Sequence, residues 1–219
     1  MNKDLSDITI VLDSSSSMSC VQGVTESSLR EFIHDQQHGP GKALLTLIEF
    51  SNVPTIMYNA LPIDDLPEYE YCPSGMTALF DAIAVGIVRT GERLKAMDEA
   101  DRPGVVIFVI ITDGEENCSR TYSNYKEIHD MIVHQTDKYN WKFMFLGANQ
   151  DAIASGARLG ISANNAITFG TNIHGVSSVA RGTSCNVMAY RTGQDHVEYS
   201  QEIRASAMGC ADSSNDADK

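Results

Sequence analysis

ITIVLDSSSS, residues 8–17, sets the reading of the whole chain. An apolar, β-branched run of Ile8, Ile10, Val11 and Leu12 stops at Asp13 and gives way to four serines. Asp13, Ser15 and Ser17 therefore fall at alternate positions. A buried strand that ends on a carboxylate and then releases hydroxyls offers the oxygen ligands that hard cations such as magnesium take while keeping several waters. A second run of the same kind, VVIFVII at 105–111, ends in Thr112-Asp113-Gly114. It is apolar at every position, as strands covered on both faces of a parallel sheet are.

Between these runs the chain alternates between strand and helix patterns. From Val24 a mixed polar and apolar stretch closes with EFIHDQQ before Gly39-Pro40-Gly41, which predicts an amphipathic helix. ALLTLIEF (43–50) and TIMYNALP (55–62) read as two strands, antiparallel across the short SNVP turn. Residues 64–71 are acidic and read as a surface loop. Leu79, Ile83, Ile87 and Leu94 recur at helical spacing in a long helix that begins at Thr77. Beyond the central strand, the spacing predicts a helix over 125–139 with Ile128, Ile132 and Val133 inward. A strand over 142–149, a short helix over 151–161, an edge strand over 166–170 and a helix over 175–190 weakened by Gly182 follow. HVEYSQEIRASAM reads as one further helix and ADSSNDADK as a frayed polar tail. The organisation expected is one α/β domain over 5–193 with a C-terminal extension over 194–219.

Strands that alternate with helices imply a doubly wound, mostly parallel sheet of about six strands with helices on both faces. In such sheets ligands sit beyond the carboxyl ends of the strands, where strand order switches direction. Asp13 and Asp113 end two strands at that edge, and Thr77 opens a helix from it. Thr77 also suits a helix cap, and Asp113 suits a turn. Glu115, Glu116 and Asn117 follow on the same rim and read as a solvated acidic edge, with a second cation site as the alternative.

Composition excludes several classes. The net charge is -13, from 29 acidic and 16 basic residues. Nucleic-acid binders and proteins that dock on anionic lipid need the opposite sign. The cysteines, Cys20, Cys72, Cys118, Cys185 and Cys210, are odd in number and form no C-x-x-C pair, which fits reduced thiols better than a disulfide framework or a zinc site. The N-terminus MNKDLSD has no apolar signal segment, and no stretch approaches 18 apolar residues. A cytoplasmic protein is expected, with a virion-borne one as the alternative. Gly39-Pro40-Gly41-Lys42 lacks the phosphate-loop pattern and precedes a strand instead of following one. His129 and His134 stand five apart and do not share a helix face as paired ligands would.

Asp13-x-Ser15-x-Ser17, the distant Thr77 and the distant Asp113 together resemble the metal-ion-dependent adhesion site of von Willebrand factor type A domains, all five positions matching in strand context over about residues 5–190. The resemblance implies a Rossmann-like fold and Mg2+, with Mn2+ or Ca2+ accepted, as the cofactor. It implies that Ser15 and Ser17 bind the ion directly and Thr77 does so in the ligand-ready state. Asp13 and Asp113 would act through bound waters, Asp113 also directly in the unliganded state. A divalent ion held mostly by neutral hydroxyls stays electron-poor and takes a carboxylate as its last ligand. The partner expected is a protein presenting an Asp or Glu, with basic residues around it to offset this chain's charge. Residues 146–161, LGANQDAIASGARLGI, are similar to compact stand-alone members from bacteria and phages. A structural component of a larger assembly such as a phage particle, its loops braced by the metal, is the alternative. A magnesium-dependent phosphohydrolase fits less well. Phosphatases of the haloacid dehalogenase type need an acid where this chain has Ser15, and no residue stands out as catalytic.

Overall fold

The computed structural model describes residues 1–148 and 151–209. Its centre is β1 (Asn2–Asp13), flanked on one side by β2 (Lys42–Phe50) and β3 (Pro54–Pro62). On the other side lie β4 (Pro103–Thr112), β5 (Lys142–Ala148) and β6 (Ala166–Phe169). The order is β3-β2-β1-β4-β5-β6, and only β3 runs antiparallel, against β2. The chain leaves β1 for β2 on one side and later places β4 on the other. The crevice at the carboxyl ends of β1 and β4 is therefore the switch point of the sheet.

Alternation along the strands divides the core between two faces. Ile8, Ile10, Leu12, Leu45, Leu47, Ile107 and Val109 point to one, and Val11, Phe50, Phe108 and Ile110 to the other. The first face is covered by α1 (Gln22–Gln37) and α5 (Ile173–Arg191), which also pack on each other. The second is covered by α2 (Leu79–Ala96), α3 (Tyr125–Tyr139) and α4 (Ala152–Arg158). The α/β sandwich expected from the sequence is the one observed.

Several details differ from the sequence reading, each for a local reason. β1 begins at Asn2, because Leu5 to Asp13 pair with β2 and Asn2 pairs with Pro103, although residues 2–4 are exposed. α1 begins at Gln22, two residues before the Val24 expected, directly after a 3₁₀ turn over Ser16–Val21. α4 stops at Arg158, before Gly160, whose φ of +80° turns the chain away from the helix. Gly182 does not weaken α5. A β-carbon there would lie 2.7 Å from Ile203 Cγ2, so its absence lets the last helix, α6 (Gln201–Ala207), pack close.

α6 lies within the stretch expected as a C-terminal extension, and it seals the outer edge of β6. Arg204 donates to the carbonyls of Ala166 (2.8 Å) and Ala163 (3.0 Å), and Gly170 N–H donates to Ala207 O. Edge strands left open invite pairing with other chains, and here a guanidinium and a helix end occupy that row. Residues 64–71 are irregular after a short 3₁₀ turn but are not merely a surface loop, since Tyr69 and Tyr71 turn inward and are buried. Asn149 and the tail from Cys210 lie outside the described residues. Among the described residues, no helix is long and apolar enough to cross a membrane.

Candidate functional site

Four loops meet beyond the carboxyl ends of β1 and β4. Asp13 is the last residue of β1 and is wholly buried. Its carboxylate accepts from Ser15 N–H at 2.8 Å and from the Thr112 hydroxyl at 2.6 Å. The first bond curls the serine loop into an Asx-type turn. The second ties β1 to the end of β4. Burial raises the Asp13 pKa, the two hydrogen bonds oppose it, and the nearby Asp113 charge adds to the rise.

The turn aims the next hydroxyls outward from the sheet. Ser15 Oγ lies 3.0 Å from Ser17 Oγ, and Ser17 Oγ donates to Asp113 Oδ1 at 2.7 Å. Asp113 is half-buried, and desolvation raises its pKa against the Ser17 hydrogen bond. Thr77 is buried and sits across the crevice, where a β-carbon on Gly114 would come within 3.6 Å of its Oγ1. Ser15, Ser17 and Asp113 thus form one hydrogen-bonded chain. Asp13 stands behind it through its turn, and Thr77 faces the residue that follows Asp113.

The frame around these five residues was only partly visible in the sequence. Ser14 had no assigned role, yet its N–H and its hydroxyl both donate to Phe50 O, and its own carbonyl accepts from Ser74 N–H. Gly75 O accepts from Ser16 N–H, so the serine loop and the Thr77 loop are stitched from both sides. The Tyr71 hydroxyl donates to Asp13 O from beneath, and burial pushes that phenol well above its ordinary range.

The rim that reads as a solvated acidic edge is a clamp on the start of α2. Glu116 accepts from the N–H groups of Phe80, Cys118 and Ser119 and from the Ser119 hydroxyl, all within 2.8 Å. Asn117 Oδ1 accepts from Thr77 N–H, and Asn117 N–H donates to Thr77 O. Asp81, in the first turn of α2, accepts from the N–H groups of Arg120, Thr121 and Tyr122. Carboxylates at a helix start suit its exposed N–H groups and its dipole. Thr77 does not cap the helix with its side chain: the cap position is Ala78, and no side-chain cap bond forms there. Its hydroxyl is left for the crevice. The Cys118 thiol is held protonated by burial and donates to Ser51 O at 3.5 Å, which fits a structural role.

Among the described residues, no group of three or more His, Cys, Asp or Glu side chains is placed to hold a metal ion. The oxygens gathered at the crevice are three hydroxyls and two carboxylates, a set of a different kind.

Neither a protein-family profile nor a curated protein sequence matches this chain. Solved structures do. A von Willebrand factor type A protein from Catenulispora acidiphila superposes with a TM-score of 0.58 at 12% identity, over 84% of this chain and 43% of its own. The mussel byssus proximal thread matrix protein 1, in a form whose metal-ion-dependent adhesion motif holds zinc, gives 0.57 at 15% over 84% and 46%. The archaeal VWA2 paralog of ArnB from Sulfolobus acidocaldarius gives 0.52 at 16% over 85% and 45%. The chain spans under half the length of each. The fold is that of von Willebrand factor A domains.

Proposed function

We propose that this chain is a protein-binding module that holds a divalent cation at the crevice and uses it to take an Asp or Glu side chain from a partner. The observation that carries the reading is the Ser15–Ser17–Asp113 chain, with oxygens 3.0 and 2.7 Å apart. A hard divalent cation takes oxygen ligands of this kind, and magnesium, manganese and calcium all accept the set. Ser15, Ser17 and Thr77 supply the hydroxyls, and Asp13 and Asp113 balance the charge. Thr112 and the Ser15 N–H fix Asp13, as outer groups fix metal ligands generally.

Recognition is favoured over a metal that only braces loops. The serine, Thr77 and Asp113 loops are already tied by the Ser14, Gly75, Glu116 and Asn117 hydrogen bonds. A non-enzymatic role is favoured because a hydroxyl, Ser15, stands two residues after Asp13, where a phosphatase of similar sheet would place its acid. The test is capture of partners on the immobilised chain in Mg2+ and in chelator, with Ser15→Ala alongside and mass spectrometry as the readout. Partners retained in Mg2+ and lost in both other arms are expected. The same partners in all three arms would refute the reading.

A further inference from the structure

An open groove of roughly 660 Å³ runs beside the Thr77 loop, between the β2–β3 turn and the outer face of α2. Its floor is aliphatic: Val53, Pro54, Val85 and Val88, with Val53 52% and Val88 40% exposed. Arg89 and Arg120 line its sides, and both are exposed. Neither guanidinium makes a hydrogen bond or ion pair among the described residues. Most other arginines are engaged: Arg30 with Glu26, Arg93 with Asp7, Arg102, Arg191 and Arg204 with carbonyls, and Arg158 on the Tyr125 ring; Arg181, on α5, is the other that makes no such contact among the described residues. Two carboxylates also line the groove. Asp81 is committed to the three N–H groups of residues 120–122, which is what holds Arg120 in place, and Glu92 stands about three turns further along α2, one turn beyond Arg89.

Two cations without ion-pair partners over an aliphatic floor offset the groove's own two carboxylates, so the lining is neutral where the chain as a whole carries a net charge of -13. We infer that this groove docks an acidic segment of a protein partner, with an aliphatic side chain on the valine floor and carboxylates at Arg89 and Arg120. Two arginines are too few for a polyphosphate backbone, which is held by many cations. The groove lies next to the Thr77 loop: Asn52, beside Val53 in the chain, accepts from Met76 N–H at 3.0 Å, and Met76 is 51% exposed beside Thr77. A partner whose acid reaches the crevice continues over Met76 into the groove. The inference rests on the reading of this edge as a protein-binding surface, but the groove itself needs no cation. Basic residues expected around the partner's acid therefore belong on its other side, away from the arginines.

The probe is a random dodecapeptide library displayed on phage, selected on the full chain in chelator. The best binder is then synthesised with a fluorescent label and titrated by anisotropy. Enriched peptides should combine Asp or Glu with aliphatic residues and bind in chelator, where no cation contributes. Arg89→Glu with Arg120→Glu should weaken binding at least about tenfold, the scale of two exposed ion pairs turned into repulsions. Neither guanidinium makes a hydrogen bond or ion pair among the described residues, so a nearly unchanged melting temperature is expected of the double variant. Enrichment of peptides without acids, no enrichment, or binding indifferent to the double variant would overturn the inference. Should partner capture depend on Mg2+ and Ser15 but not on Arg89 and Arg120, the groove falls and the cation reading stands. Peptide binding lost in the double variant alone sustains the groove whatever the cation does.

Discussion

Arg93→Met should destabilise the protein in a way that depends on pH, because it strands a carboxylate in the core. Asp7 sits within β1 opposite Leu44 and Val106, fully buried. Arg93, on α2, places Nη2 2.6 Å from Asp7 Oδ2, while Asp7 Oδ1 and Arg93 Nη1 have no hydrogen-bond partner among the described residues. Burial raises the Asp7 pKa, and the guanidinium only partly offsets it. Breaking a buried pair from one side typically costs about 3–5 kcal/mol. A ceiling follows from the escape route. At pH 7, putting a proton on a carboxyl whose unfolded pKa is about 3.9 costs about 4 kcal/mol, at about 1.4 kcal/mol per unit. At pH 5 the same step costs only about 1.5 kcal/mol.

The sign is fixed by proton counting. In the variant, the folded pKa of Asp7 lies further above its unfolded value. Between those two values the native state holds a proton that the unfolded state lacks, so stability relative to wild type rises as pH falls through the window. Chemical unfolding at pH 7 should show a loss of about 3–4 kcal/mol, equivalent to roughly 6–16 °C in melting temperature for a domain of this size. At pH 5 the loss should shrink to about 1.5 kcal/mol or a little more. Asp7→Leu combined with Arg93→Met should recover most of it, since a buried pair can be replaced by apolar side chains at little cost. A loss equal at both pH values, or a double variant as unstable as Arg93→Met alone, would refute the account.

Magnesium in excess should raise the melting temperature: at a hundred times Kd the gain is about 2.7 kcal/mol, and Ser15→Ala or Asp113→Asn should abolish the shift in a thermal scan without lowering the metal-free value much. Glu116→Ala removes the acceptor for four donors; a loss of roughly 2–4 kcal/mol in chemical unfolding is expected from the orphaned N–H groups. Calorimetry should also show weaker Mg2+ binding, although Glu116 is no ligand. Arg204→Ala should uncover the β6 edge, costing about 1.5–3 kcal/mol for bonds to a charged group, with faster amide exchange over Ala166–Phe169 and concentration-dependent light scattering. Tyr71→Phe leaves Asp13 O without its donor and should cost about 1–2 kcal/mol in urea unfolding.

The sheet was legible because its strands are nearly pure apolar runs that end at acids, and such runs have few other homes than a doubly covered parallel sheet. Asp13, Ser15, Ser17 and Asp113 were legible because they end or follow β1 and β4, whose position is fixed by the sheet, and Thr77 because it stands just before α2. The supports were not. Glu116 and Asp81 read as surface acids, and only the tertiary placement of residues 116–122 against the start of α2 turns them into acceptors for backbone N–H groups. Tyr71 sits in an acidic stretch that lacks periodicity, so nothing local signals burial. Arg204 lies in a polar segment near the end of the chain. Its role depends on β6 being an edge, which is a property of strand order and not of its neighbours. The general pattern is that side chains bonding to the backbone of a distant segment leave no periodic trace.

The acids at and beside the crevice differ in what meets them, and the difference bears on how the crevice would work. Asp81 and Glu116 have their charge met by backbone N–H groups within the fold. Asp13 and Asp113 are met only by hydroxyls and one N–H, and burial pushes both toward protonation. A crevice so arranged repels a partner's carboxylate when no cation is present. A divalent ion offsets the two crevice carboxylates, an effect felt within a Debye length of about 8–10 Å, while the distant surface stays acidic. On the proposed reading, the cation then decides whether the partner's acid can approach at all, beyond adding one bond once it has arrived. Stopped-flow association should therefore show Mg2+ raising the on-rate, with the gain shrinking as salt is increased. An effect confined to the off-rate would mean that the ion acts only as a ligand.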